Sequence, residues 1–332
     1  MATTVRREPT AWPSFAHQLA LAEQLYGAEG GGKVAGWLET QIERIGSAAF
    51  ARLFSDHIDL PGVAPLDYAH RYVRSHAGSL IGGIRFYGHD LNRPFIEVVA
   101  HDFGGNDDGA ARSKSGWLSA LVDVVAHEWS AFRPIHMHLR TPPGADVPQG
   151  GHIDTHVFVE RYGAMTRPDG RVRLEAFANP NEAMAMVRER FAAMERDEPQ
   201  LRRNVFSIKP DYLNELHAGD RVHAILPTDR HSVLATESSS GGSPAGLLAI
   251  APGGVDWIKG DEVMEDVIAS EHAGHGYAAS AQAAFASLPA NDQNELLIGT
   301  IDVLNVASRR TAERAGRINV MDYLFVDLPS VA

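Results

Sequence analysis

The chain has 332 residues and a net charge of −12, with 44% hydrophobic and 22% charged residues. This ordinary globular composition excludes collagen-like, low-complexity and disordered proteins, and the acidic balance argues against nucleic acid as a partner. Cysteine is absent, which excludes disulfides, a thiolate nucleophile and cysteine-ligated zinc. No stretch reaches the roughly 20 apolar residues that span a bilayer, and the N-terminus lacks the apolar core of a signal peptide. We therefore expect a cytoplasmic protein that does not bind membranes.

The first half is predicted to alternate between helices and strands. Its elements, in chain order, are a helical stretch at Phe50–Phe54, strands at Ile81–Tyr87 and Phe95–His101, a helix at Trp117–Trp129, a strand at Ile135–Leu139, and a short helix at His156–Tyr162 that ends at Gly163.

The clearest internal boundary lies near Asn179. A turn and the strand-like stretch Arg171–Phe177 come before it. Asn179 then has the features of a helix N-cap, with Pro180 at the first helical position and Glu182 at the spacing of a capping box. A newly signalled helix after a turn-rich stretch indicates the start of a second domain. We predict domains of residues 1–175 and 176–332.

The second half is predicted to repeat the order of the first, which indicates a tandem duplication. After the helix from Pro180, its elements are strands at Val222–Leu226, Ser232–Thr236, Gly246–Ala251 and Val263–Ala269, an alanine-rich helix to Ser287, a strand at Leu296–Leu304, a helix from Ser308 to Ala315 capped by Gly316, and a strand at Val320–Leu328.

A glycine-containing loop, Gly274-His275-Gly276, lies between a predicted strand and a predicted helix. Glycine lets backbone amides approach an anion without a β-carbon in the way, and the helix directs its positive dipole end to the same place. The loop lacks the third glycine of a dinucleotide-binding fold and the Lys-Ser/Thr ending of a P-loop. We expect a pyrophosphate to bind there.

The segment from Val267 to Tyr277, Val-Ile-Ala-Ser-Glu-His-Ala-Gly-His-Gly-Tyr, resembles the acyl-CoA loop of the GCN5-related N-acetyltransferases, the GNAT superfamily. About thirty residues later, the stretch from Ile301 through Asn305 to Gly316 resembles the second marker of the family, a strand, Asn-x-x-Ser, a short helix and a glycine. The resemblance implies an α/β protein of two tandem GNAT-like domains, each a mixed, mainly antiparallel sheet flanked by helices. Residues 176–332 would be the acyl-CoA-binding, catalytic domain.

The resemblance also implies the residues that bind the cofactor. In the family, two central strands separate, and the pantetheine arm lies in the gap against backbone groups of the fourth strand. The implied contacts are the strand residues Val267, Ile268 and Ala269, the loop residues Glu271, Ala273, Gly274, His275, Gly276 and Tyr277 around the pyrophosphate, and Asn305 and Ser308 beside the pantetheine. Asn305 is alternatively a helix cap.

Several positions depart from the family pattern. Glu271 stands where Gln or Arg is usual, and Arg317 stands where Phe is general. Ala312 occupies the place of the tyrosine that protonates the departing thiolate in many members. We expect Tyr323, on the last strand, either to replace that tyrosine or to be an aromatic residue of the core.

Acyl transfer to an amine needs a group that takes a proton from the ammonium. Glu262 and Glu265 are the candidates, with Asp266 beside them, although a regular strand lets only one or two of the three face a cleft. Without cysteine, we expect direct transfer from acetyl-CoA or another acyl-CoA. The expected acceptor is an amine of a small molecule, an amino-sugar or a peptide, and the enzyme is expected to be a monomer or homodimer.

In the first half, the segment from Ala111 to Leu118 takes the place of the acyl-CoA loop, with Gly116 at the matching position. Leu118 replaces the second glycine, so that a side chain would obstruct a phosphate. We therefore predict that residues 1–175 form a degenerate GNAT-like domain that has lost CoA binding.

Two other functions stay open. One is a GNAT-fold sensor that binds acyl-CoA without turnover. The other is a metalloenzyme, because His152, Asp154 and His156 would share one face of a strand, with His136 and His138 nearby. The helix predicted over the following residues weighs against it, and we expect no metal.

Overall fold

The structure is a computed structural model that describes residues 5–104, 116–228 and 243–329. The chain divides into two compact units, one of Met1–Asp154 with Met321–Ala332 and one of Thr155–Val320. This division differs from the predicted boundary between residues 175 and 176. The physical reason is strand pairing. Residues 155–161 pair with residues 296–302 within the second unit, whereas residues 322–327 pair with residues 136–141 within the first.

The described helices of the chain are α1 (Ala16–Tyr26), α2 (Gly30–Glu43), α3 (Ala48–Ser55), α4 (Gly116–Glu128), α5 (Pro180–Asp197), α6 (Pro199–Asn204), α7 (Pro210–Ala218), α8 (Tyr277–Ala286) and α9 (Val306–Ala315). The described strands are β1 (Arg71–Arg74), β2 (Ser79–Phe86), β3 (Pro94–His101), β4 (His136–Thr141), β5 (Gly151–Arg161), β6 (Val172–Ala176), β7 (Val222–Pro227), β8 (Gly246–Val255), β9 (Ile258–Ile268), β10 (Leu296–Asp302) and β11 (Ile318–Asp327).

The first unit contains an antiparallel meander of β1, β2 and β3, followed by a parallel pairing of β3 with β4. β11 pairs antiparallel with β4 on the latter's other side. Apolar side chains of these strands pack against α4 and form the core of the unit, which includes Leu80, Ile96, Leu121, Trp129, Met137 and Leu324.

The second unit repeats this pattern with β6, β7, β8 and β9 as the antiparallel meander. β9 then pairs in parallel with β10 through Asp261 with Leu297 and Glu262 with Ile298. In the described ladder the pairing stops after these two positions, and we call the unpaired stretch beyond them the gap. β10 pairs antiparallel with β5 on its other side.

Both faces of the second unit's sheet carry helices. One face packs against α8 through a cluster that includes Ile250, Phe285 and Leu297. The opposite face packs against α5 and α7 through a cluster that includes Val187 and Leu213. The mixed α/β fold class predicted from the sequence is confirmed.

Local signals predicted some elements well. α5 begins as expected, since the Asn179 side chain accepts a hydrogen bond from the Asn181 amide and Pro180 is the first helical residue. The predicted helix over His156–Tyr162 is wrong, because these residues lie in or directly after β5 and pair with β10. β-Branched and aromatic residues favour a strand where such a partner exists. The strand predicted at Ser232–Thr236 falls outside the described residues.

No helix within the described ranges combines the length and hydropathy required to cross a membrane.

Candidate active site

A β-bulge in β9 decides where the candidate bases point. Val263 and Glu265 lie opposite consecutive residues of β8, so Met264 between them has no counterpart. In a regular strand, residues 262 and 265 would face opposite sides of the sheet. The extra residue brings Glu262 and Glu265 to the same side.

That side is the one covered by α5 and α7. The residues opposite the two carboxylates, Ala249 and Ala251, belong to the apolar cluster that contains these helices. Asp266 lies opposite Leu248, which belongs to the cluster around α8. Of the three acidic residues, Glu262 and Glu265 therefore share one face and Asp266 occupies the other.

Glu265 is the more buried of the two, with 8% of the residue exposed. Its carboxylate accepts a hydrogen bond from the Ile208 amide, at 2.6 Å, just before α7. Burial raises the pKa of Glu265 to about 7; the charge of Asp266 adds to this effect and the Ile208 amide opposes it. Burial also raises the pKa of the half-buried Glu262. A carboxylate that titrates near neutral pH suits a general base.

The predicted strand, loop and helix follow one another from β9 to α8. Gly274 and Gly276 have φ angles of +81° and +77°, which side-chain-bearing residues rarely adopt. Gly276 is the N-cap of α8, and among the described side chains none caps the helix. Ser280 is the first helical residue whose amide bonds back, to the Gly276 carbonyl, so the preceding amides have no intrahelical acceptor.

A cleft of about 400 Å³ opens at this helix N-terminus. The loop glycines and the first turns of α8 line it. Three arginines line it as well, Arg167 and Arg171 just before β6 and Arg314 of α9. The Arg171 guanidinium donates to the His275 carbonyl at 3.2 Å. Asp169 also lines the cleft, so three arginines against one aspartate give it a positive charge.

The loop motif does not indicate these arginines. It contains neither lysine nor arginine, which predicts a loop that binds an anion through its amides and the helix dipole. Arg167 and Arg171 lie about a hundred residues before the loop, and Arg314 lies on a different helix. Two of them are visible in the turn around Asp169, but nothing local in the sequence links that turn to the loop.

The strand residues predicted to bind pantetheine differ in what their backbone offers. Ala269 donates its amide to Ala245, and its carbonyl accepts from the His272 amide, so its backbone is already bonded. Val267 and Ile268 pair with β8 at the end of β9, the strand that borders the gap. In the loop, Glu271 and Ala273 are exposed, whereas Tyr277 is buried and stacks on the His275 ring.

The second predicted marker forms the start of α9. The Asn305 side chain accepts a hydrogen bond from the Ser308 amide at 3.1 Å, which makes Asn305 a helix cap, the alternative role expected from the sequence. Ala312 is fully buried against Phe158 and Ile301. The position of the family's tyrosine therefore faces an apolar cluster.

Tyr323 lies in the first unit, whereas Glu262, Glu265 and the loop lie in the second. Its ring is 4.6 Å from the ring of His138, and the Arg140 guanidinium lies 5.8 Å from it. The surroundings of Tyr323 are thus polar and aromatic.

The strand that the metalloenzyme alternative requires is present, but the described residues form no metal-binding cluster on it. His152 and Asp154 lie in β5, and the His152 ring is 5.3 Å from that of His136. His156, also in β5, belongs to the second unit. Among the described residues, no three His, Asp or Glu side chains are placed to hold a metal ion.

The first unit also has a parallel pair, but an arginine fills the space beyond it. Arg140 of β4 donates to the Val98 carbonyl of β3 at 3.2 Å and to the Glu97 carboxylate at 2.7 Å. Its guanidinium also lies 4.8 Å over the Trp37 ring. The loop that would correspond to the cofactor loop, with Ala111 and the residues up to 115, falls outside the described ranges.

No protein-family model matches the sequence, and no curated protein matches it. Solved structures of GNAT-family acetyltransferases are similar to the chain. One from Colwellia psychrerythraea is 12% identical, with 87% of this chain and 96% of that chain covered and a TM-score of 0.45. One from Sphaerobacter thermophilus is 13% identical, with coverages of 99% and 100% and a TM-score of 0.39. One from Kribbella flavida is 15% identical, with coverages of 78% and 89% and a TM-score of 0.40.

The order of elements that the two sequence markers imply is present in the structure, where an antiparallel meander, a parallel pair, the glycine loop and a helix follow one another.

Proposed function

We propose that the protein is an acyl-CoA-dependent N-acyltransferase whose second unit binds the cofactor and carries out the reaction. The observation that carries this proposal is the positively charged cleft at the N-terminus of α8, reached by a loop that continues β9, the strand bordering the gap. A pyrophosphate requires free amides and positive charge, and the cleft offers both. The gap would receive the pantetheine arm.

In the proposed reaction, the neutral amine attacks the thioester carbonyl, a C–N bond forms and the C–S bond breaks. Glu265 takes the proton that the amine loses, directly or through water, because its pKa of about 7 lets it accept one at neutral pH. The thiolate of CoA leaves and is protonated. Tyr323 stays our candidate for that proton, and unchanged turnover in Tyr323→Phe would remove it.

The co-substrate is proposed to be acetyl-CoA or another acyl-CoA, and the acceptor an amine of a small molecule, an amino-sugar or a peptide. The first unit is proposed to be a second, degenerate GNAT-like domain without CoA. Arg140 supports this, since its side chain already donates to the Val98 carbonyl, which a bound pantetheine arm would need as a hydrogen-bond acceptor.

A second candidate is an acyl-CoA sensor without turnover. Ala312 favours it, because this position, which carries the thiolate-protonating tyrosine in many family members, is buried in an apolar cluster here.

Calorimetry with CoA tests the proposal through a matched pair of variants. Arg314→Glu reverses a charge in the cleft and should weaken CoA binding by ten- to a hundredfold, since a charge-assisted bond to phosphate is replaced by repulsion. Arg310→Glu makes the same change on an exposed part of α9 outside the cleft and should alter the affinity by less than about twofold.

Thiol release from acetyl-CoA against a panel of amines then separates the two candidates. We expect release with at least one amine. If the protein binds CoA but releases no thiol with any of the amines, the sensor is the correct candidate. Failure of the wild-type protein to bind CoA overturns both.

A further inference from the structure

Beyond the last paired positions of β9 and β10, three side chains form a buried polar cluster, Asp266 of β9, Gln282 of α8 and Arg317 before β11. The Gln282 amide donates to the Asp266 carboxylate at 2.6 Å. Gln282 and Arg317 are 1% and 4% exposed. All three belong to the second unit.

The cluster lies at the gap. Gly299 and Val263 are the first residues of β10 and β9 after their last pair. A β-carbon on Gly299 would lie 3.0 Å from the Arg317 Nη1 atom and 3.9 Å from Val263. The guanidinium therefore lies where the pairing of the two strands ends, over a residue whose missing side chain leaves room for it.

The hydrogen-bonding capacity of the cluster is not used up within the described residues. The Nε and Nη1 atoms of Arg317, Oδ1 of Asp266 and Oε1 of Gln282 are covered and have no hydrogen-bond partner there. Buried polar atoms are almost always bonded, because leaving them without a partner costs free energy. Two donors and two acceptors without partners in one cluster indicate a missing ligand.

The first unit provides a comparison. Arg140 also follows a parallel strand pair, but its guanidinium bonds Val98 and Glu97. An arginine that only fills a gap can thus satisfy its donors within the fold. Arg317 leaves two of its donor atoms without a partner among the described residues. The family resemblance implies a phenylalanine at this position, which would have no donors to satisfy.

We infer that Asp266, Gln282 and Arg317 form a binding site for a neutral group that both donates and accepts hydrogen bonds. The opposite charges of Asp266 and Arg317 leave the cluster without net charge, which disfavours a carboxylate and favours an amide or a hydroxyl. This inference rests on the proposed function. Within it, two sources offer such a group, the amides of the pantetheine arm and a hydroxyl on the acyl chain.

Two variants remove the site. Gln282→Met keeps the length of the side chain and removes its donor and its acceptor. The double variant Asp266→Leu with Arg317→Met removes both charges together, because removing one alone would leave an uncompensated buried charge and endanger folding. Thermal unfolding and circular dichroism establish that each variant is folded. If the double variant does not fold, the Gln282→Met variant alone decides the question.

Calorimetry compares three ligands that share the nucleotide portion. Adenosine 3′,5′-bisphosphate lacks the arm, CoA has the arm, and 3-hydroxybutyryl-CoA adds an acyl hydroxyl. We expect the variants to bind the bisphosphate as wild type does and to bind CoA about tenfold more weakly, which assigns the site to a pantetheine amide. A loss confined to 3-hydroxybutyryl-CoA assigns it to the acyl chain and also supports the inference.

Unchanged affinity of the folded variants for all three ligands overturns the inference while leaving the proposed function intact. If the wild-type protein binds none of the three, the proposed function fails first, and the inference fails with it.

Discussion

Glu265 is a residue whose chemistry depends on one unmatched neighbour. Met264 shifts the alternation of β9, so Glu265 points toward α7 and receives the Ile208 amide instead of facing α8. Burial at that place raises its pKa to about 7. The bulge thus determines both which face carries the carboxylate and how readily it takes a proton.

We expect the rate of thiol release to rise with pH through about 7 in the wild-type protein, as Glu265 loses its proton. Glu265→Gln should lower the rate by roughly a hundredfold or more and abolish that limb of the profile. Rates measured from pH 5.5 to 8.5 with one amine provide the check, with Glu262→Gln as the matched control. A limb that persists in Glu265→Gln assigns the base elsewhere.

The same variant has a readout that does not need turnover. The native pKa lies above the unfolded value of about 4.3, so the folded state retains its proton to higher pH. The contribution of Glu265 to stability is therefore present at low pH and is lost as pH rises from about 4.5 to about 7, by on the order of 3 kcal/mol. Urea unfolding of Glu265→Gln across this range should lack that loss.

At the level of elements, the start of α9 separates a structural from a binding role. Asn305→Ala removes the bond to the Ser308 amide and should lower the free energy of unfolding by about 1 kcal/mol, as the loss of an N-cap generally does. Urea denaturation measures this. If Asn305 acts as a cap alone, CoA affinity stays within twofold of wild type; a tenfold drop would give it a direct contact with the cofactor.

Elements that depend on local signals were predictable. The cap at Asn179 and the glycine at the end of α9 act over a few residues, so the sequence alone indicates where α5 begins and α9 ends. β5 was not predictable, because Val157 and its neighbours become a strand by pairing with β10, about 140 residues away. A stretch of this length fits helix or strand until its partner is known.

The candidate site likewise has a part that could be predicted from the sequence and a part that could not. The loop with Gly274 and Gly276 follows from a contiguous motif, and the structure places it at the N-terminus of α8 as expected. Its arginines could not be assigned from the sequence, since Arg167 and Arg314 meet the loop only in the folded chain. The bulge at Met264 has no local signature either, because it is defined by what lies opposite on β8.

At the scale of the whole molecule, the last strand completes the first unit. Leu324, Val326 and Leu328 are buried in its core, and β11 is an antiparallel neighbour of β4. Each such side chain contributes about 1.5–3 kcal/mol when buried, and a domain's total stability is only about 5–15 kcal/mol. A chain that ends at residue 320 should therefore lose the fold of its first unit.

Limited proteolysis with mass spectrometry tests this expectation. In the shortened chain, cleavage sites should appear throughout the first 154 residues, whereas a chain without residues 330–332 should resist as the full chain does. Equal resistance in the chain that ends at residue 320 would mean that β4 does not need β11.

This return of the chain has a consequence for protein synthesis. Asp154 leaves the ribosome long before Met321, and the 166 residues of Thr155–Val320 are translated between them. At about 5–20 residues per second, that interval lasts roughly 10–30 s. During it the edge of β4 and the apolar surface awaiting Leu324 have no partner from their own chain. We therefore expect the nascent first half to bind chaperones until β11 has been translated, and to fold last although it is made first.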